Sequence, residues 1–174
     1  LFLVKNIFSF LLSAILLVWA MPYPLLPGQI SLISGVLIGL PSFLLTFERS
    51  DVRAKGHFLR NALLNALPGG LCGTLFLLGT SALGLPQGQI SSVCTLLAGV
   101  TGLCVVFFLC WPLTWLRAAV MALTAACFYG ATAFFPWMFS IETLSARAWA
   151  LTCGLGAAVP VVMGCLVFAV SFLK

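Results

Sequence analysis

Six stretches of about twenty mostly apolar residues, at roughly 1–20, 29–47, 62–83, 90–110, 118–139 and 148–173, take up nearly all of the 174-residue chain. A helix needs about 20 such residues to cross the hydrocarbon of a bilayer, so each stretch is long enough to be a span. Little chain is left between them for a water-soluble domain. Lipid offers no partner to backbone N–H and C=O groups, so a span must satisfy them internally. The alternation of a membrane β-barrel is missing, and the runs are too long and continuous for one. The expected fold class is therefore all-α: a polytopic membrane protein with six transmembrane helices in three hairpins (1–60, 61–117 and 118–174). These form a single transmembrane domain over 1–174, with both ends cytoplasmic.

Composition narrows the function classes. Charged residues make up 6% of the chain and hydrophobic ones 63%, with a mean hydropathy of +1.22. Soluble domains are about 25% charged, so a soluble or disordered protein is excluded. The net charge of +5 is too thinly spread for a phosphate-binding stripe. The first residue is Leu1, and an apolar run follows at once, leading into further spans and not to a cleavage site. The expectation is a chain that begins inside a longer protein.

Lys and Arg accumulate on the cytoplasmic side of membrane proteins. With six spans, Arg49, Arg53, Lys55, Arg60, Arg117 and Lys174 share one side, against Arg147 on the other. Segments 21–28, 84–89 and 137–147 are then expected to face out of the cell membrane. Trp19, Tyr23, Trp111, Trp115, Trp137 and Trp149 fall near the span ends, as an aromatic belt does.

Few residues suggest covalent chemistry. Seven cysteines fall in or beside the spans without CxxC spacing, which reads as packing. The single histidine, His57, lies in the polar connection Glu48 to Asn61, read either as a solvated loop or as a docking surface for a cytoplasmic domain. There is no phosphate-binding loop and no nucleophile elbow. Glu142 is expected to balance Arg147 near the headgroups. The tetrapeptide Gly-Gln-Ile-Ser occurs at 28–31 and again at 88–91, each time entering a span; chance and a duplicated hairpin both stand.

Transport needs a polar breach in the membrane, and two places offer one. In the second span, Gly35-Val36-Leu37-Ile38-Gly39-Leu40-Pro41, Pro41 has no N–H for the Leu37 carbonyl and pushes Leu40 away from helical dihedrals, while Gly39 eases an unwound turn. Freed carbonyls lining a cavity are cation ligands, and Ser34 adds an oxygen. The alternative is a packed proline kink. In the first span, Asn6 and Ser9 are three residues apart, hence on one helical face, beside Lys5. An intramembrane charge marks function. Lys5 also lies 17 residues before Pro22, about 25 Å of helix, where it would snorkel from the rim. Pro68-Gly69-Gly70, Pro160 and the small residues from Gly154 to Ala158 read as packing.

The stretch from Pro27 to Pro41 resembles the sixth membrane helix of P-type cation-transporting ATPases, whose usual form is Pro-x-Gln-Leu-Leu-Trp-x-Asn-Leu-x-Thr-Asp-Gly-Leu-Pro. The likeness continues through Ser42-Phe43-Leu44-Leu45-Thr46-Phe47-Glu48 to Gly56-His57-Phe58-Leu59, while Lys5-Asn6-Ile7-x-Ser9 and Pro22 fit the fifth helix. Gly39-Leu40-Pro41-Ser42-Phe43-Leu44 is similar to bacterial members related to the mycobacterial calcium-transporting subgroup. The resemblance implies helices five to ten of such a pump. It further implies partners in the lipid bilayer, the transported cation, the first four helices and the cytoplasmic ATPase domains, which would use ATP and magnesium. It implies candidate cation ligands at Asn6, Ser9 and Ser34, and a transport path along Lys5, Leu37, Ile38, Gly39 and Pro41. Ser9 stands where calcium and sodium pumps carry a Glu, Ser34 where they carry Asn, Leu37 Thr, and Ile38 the central Asp. A self-contained six-span carrier or pore, and a non-transporting scaffold, are the competing functions.

Overall fold

A computed structural model describes residues 2–19, 23–47, 58–81, 84, 86–111 and 114–171, and among these every regular element is helical. We number the helices α1 (Phe2–Trp19), α2 (Pro27–Leu45), α3 (Phe58–Ser81), α4 (Gln87–Leu109), α5 (Trp115–Phe134) and α6 (Ala146–Ser171). Helices α2, α4, α5 and α6 are long and apolar enough to cross a membrane; Leu3–Val18 and Ala66–Ser81 are shorter apolar stretches of α1 and α3. The chain is a multi-pass membrane protein. Most of the connection from Glu48 to Asn61, with His57 and three of its basic residues, lies outside the described residues, as do Pro22 and Lys174.

The helices do not pack as three sequential hairpins. Of the three expected hairpin pairs, only α3 with α4 packs closely. Helix α1 lies chiefly on α3, whereas α2 lies on α4 and α5; α4 separates α5 from α6, which barely meet. The reason is visible in α3. A Cβ at Gly70 would come within 2.7 Å of Ile7 Cγ2 and 3.2 Å of the Phe8 backbone nitrogen, and one at Gly73 within 3.0 Å of the Phe8 ring. Small residues spaced i, i+4 let two helices approach to backbone contact, where dispersion is greatest. The spacing Gly69-x-x-x-Gly73 supplies that face. By contrast a Cβ at Gly154 would meet nothing within 4 Å, so the small-residue run in α6 is not a close contact there.

Helix α4 is the centre of the bundle: Val93, Cys94, Leu97 and Val106 are wholly buried. Buried hydroxyls are satisfied within their own helices. Thr74, Thr95, Thr101, Thr124 and Thr152 each donate to the carbonyl four residues back, at 2.7 to 2.9 Å. Trp111, Trp115, Trp137 and Trp149 are all exposed, as a belt requires. Helix α5 starts at Trp115, where Thr114 caps it by accepting from the Arg117 N–H at 3.4 Å. It stops at Phe134, five residues short of the expected span end, since Pro136 has no N–H to extend the ladder.

Residues 136–145 fold back over the bundle end that carries both Gly-Gln-Ile-Ser copies. The copies occupy the same register. Pro27 and Gln87 open their helices, so each Gly is the second helical residue and each Gln the third. At the first copy, the Leu26 N–H donates to Gln29 Oε1 at 3.0 Å, and a Cβ on Gly28 would be 3.5 Å from the Met138 carbonyl. At the second, the Glu142 carboxylate lies where a Cβ on Gly88 would be, Ser92 Oγ accepts from the Glu142 N–H at 2.9 Å, and Ser145 Oγ donates to Gln89 at 3.0 Å. Glu142 therefore sits over a helix N-terminus, where the macrodipole favours a carboxylate. The expected balance with Arg147 is not formed: no ion pair joins them among the described residues.

Candidate functional site

Proline at position 41 removes the N–H that would serve the carbonyl four or five residues back, Leu37 or Val36, and its ring crowds that turn. The chain accommodates this without unwinding. Residues Ile33–Gly39 form a π-helix between two α-helical pieces, Pro27–Leu32 and Leu40–Leu45, and the Leu40 N–H reaches the Gly35 carbonyl, five residues back. The expected break is thus corrected to a widened turn. Leu40 keeps helical dihedrals (φ −60, ψ −53), as does Gly39. One extra residue in the turn gives the ring room, so the residue before proline need not leave the helical region. The wide turn draws the Ser34 carbonyl to 3.4 Å from where a Cβ on Gly39 would stand, which fits glycine at that position.

Below this turn the helices leave a central cavity of about 70 Å³, enough for about two waters at ~30 Å³ each. Its wall is Val4, Lys5 and Phe8 from α1, Ile33, Leu37 and Ile38 from the π-turn, Gly69, Gly73 and Leu77 from α3, and Ala98, Thr101, Gly102 and Val105 from α4. Glycine decides the shape on two sides. A Cβ on Gly102 would be 3.0 Å from Leu37 Cδ1, and one on Gly69 would be 2.8 Å from Val4 Cγ1. Sequence reading takes Gly69 for a packing residue, in keeping with its close contacts, but does not single out Gly102 or Thr101.

The structure brings three of the sequence-derived positions to this cavity: Lys5, Leu37 and Ile38. Lys5 is half-buried and has no hydrogen-bond or ion-pair partner among the described residues. Asn6 is exposed on another face of α1, and neither it nor the half-buried Ser9 lines the cavity. Ser34 Oγ is buried without a partner, a departure from the self-satisfied hydroxyls elsewhere. Pro41 is buried and Gly39 half-buried, and neither lines the cavity.

The chemistry available is narrow. Its wall is almost wholly apolar: Lys5 and Thr101 are the polar residues on it, and the Thr101 hydroxyl already donates to the Leu97 carbonyl. Among the described residues no three His, Cys, Asp or Glu side chains group as metal ligands.

No protein-family model matches the chain, and no solved structure matches it. A match exists among curated proteins, to the "Probable cation-transporting ATPase exp7" of Streptococcus pneumoniae serotype 4. It is 35% identical over 147 residues, 78% of this chain and 19% of the relative. The chain thus spans about a fifth of the length of the curated relative it matches, and over most of its own length it is similar to part of that probable cation-transporting ATPase.

Proposed function

We propose that the chain is the membrane half of an ATP-driven P-type cation pump, supplying helices five to ten and part of the ion passage. The observation that carries this is the π-turn before Pro41 on the wall of a cavity that also holds Lys5. π-turns inside α-helices occur mostly at functional sites, and carbonyls released at membrane depth are tolerated where they line a cavity. The similarity to a protein named as a cation-transporting ATPase supports the same reading.

In this reading all six helices span the membrane and both ends are cytoplasmic. Phosphorylation of an Asp in a cytoplasmic domain, with ATP and magnesium, moves α1, and α1 changes the cavity through Val4, Lys5 and Phe8. Asn6, Ser9 and Ser34 are the proposed cation ligands. Their neutral oxygens do not make a calcium site alone, since calcium takes six to eight oxygens, usually with carboxylates. Calcium belongs to the reading only with ligands from preceding helices, toward which the exposed Asn6 is available.

The test uses the full-length protein in vesicles. Cation-stimulated phosphoenzyme formation identifies the ion, and turnover is compared for the unsubstituted protein, Pro41→Ala and Asn6→Ala. Loss of at least tenfold in either variant, with normal expression, supports the assignment. Unchanged turnover in both removes it.

A further inference from the structure

Pro68 lies inside α3, so the Leu64 carbonyl one turn back has no N–H at position 68 to accept from. Both residues line a second cavity, about 320 Å³, walled by α3, α4 and α6, with Trp111 and Ser171 at one end. A carbonyl without a donor at membrane depth is tolerated where it meets water, and the cavity holds roughly ten waters at ~30 Å³ each. Gly69 and Val105 line both this cavity and the central one. A Cβ on Gly69 would be 2.7 Å from Val105 Cγ2, so a single layer of side chains separates the two spaces.

We infer that the space between α3, α4 and α6 is a water-filled vestibule that stops at the Gly69–Val105 layer beside the Lys5 cavity, apart from the ion passage along α2. Its ligand is water. No carboxylate lines it among the described residues, so it offers an entering cation no charged partner, and it ends on the apolar Gly69–Val105 layer. It opens on the face that Arg117 and the basic connection assign to the cytoplasm. The inference rests on the proposed function only in giving Lys5 a place in a transport cavity.

The test labels the full-length protein in sealed vesicles with the membrane-impermeant thiol reagent 2-sulfonatoethyl methanethiosulfonate, applied to each face in turn. Val167 lines the vestibule; Phe168, the next residue, is 65% exposed and does not. Expected is modification of Val167→Cys from the cytoplasmic face at least tenfold faster than Phe168→Cys, above the background of the native cysteines. Equal rates, or reaction from the opposite face alone, overturn the vestibule. Thr101→Cys, in the central cavity, should react several-fold faster when combined with Val105→Ala; an unchanged rate overturns the partition. The unsubstituted protein gives an independent reading by hydroxyl-radical footprinting in membranes. Met163, 2% exposed, lines the vestibule and should be oxidised; an unoxidised Met163 overturns the inference. None of these readouts requires transport, so they fail or succeed separately from the turnover assay.

Discussion

Gly99 in α4 provides a demanding test of the packing argument. A Cβ there would overlap the ring of Phe128 from α5, lying 2.9 Å from Cδ1 and 3.1 Å from Cζ. Carbon atoms pack best at about 3.5 to 4.0 Å, so Gly99→Ala requires the ring to move by about an ångström. Phe128 is 0% exposed and clustered with Leu32 and Leu37, so it has nowhere to go without moving α2 or separating α4 from α5. Overpacking costs about 1–3 kcal/mol, and three ring atoms well inside contact place this site near the top of that range. Replacing glycine inside a helix returns about 1 kcal/mol, leaving a net loss of about 2 kcal/mol. The control is Gly79→Ala, whose Cβ meets nothing within 4 Å; it should be neutral or gain up to about 1 kcal/mol. Reversible unfolding in mixed micelles measures both, and adding Phe128→Leu to Gly99→Ala should recover much of the loss. If Gly99→Ala is as harmless as Gly79→Ala, the close approach of α4 and α5 is wrong.

Three further outcomes follow from single contacts. Ser92→Ala removes the acceptor for the Glu142 N–H and should cost about 1 kcal/mol, read as faster amide exchange at Glu142. Thr114→Ala removes the cap of α5, and because the bond to the Arg117 N–H is long at 3.4 Å the loss should be about 0.5 kcal/mol, seen in micellar unfolding. In detergent, a small maleimide should modify the exposed Cys153 and Cys165 long before the buried Cys72 and Cys94; mass spectrometry of peptides reads the order, and early labelling of Cys72 contradicts the α3–α6 packing.

The sequence exposed the bundle more readily than its pairing. Hydropathy places helices because burial in lipid depends on composition, and α1 to α6 fall close to the expected runs. Which helix touches which depends on where a side chain is missing, and a pattern of apolar runs does not weigh Gly69, Gly70 and Gly73 against Leu71. Pro41 was legible as a disturbance in α2, but its form was not. An unwound turn and a π-turn both answer a missing N–H, and the choice depends on what packs around Leu37. Glu142 illustrates the same limit. Arg147 is near it in sequence, whereas Gly88, which leaves room for its carboxylate, is distant in sequence and close only in the fold.

The segment from Pro136 to Ser145 rests on two helix starts at once, touching Gly28 through the Met138 carbonyl and Gly88 through the Glu142 carboxylate. It works as a strap across the mouth between α2 and α4. Any motion that spreads those two helix starts must first lift the strap from one glycine or the other. The twin tetrapeptides are then two seats under one strap, the first met by a backbone carbonyl and the second by a carboxylate.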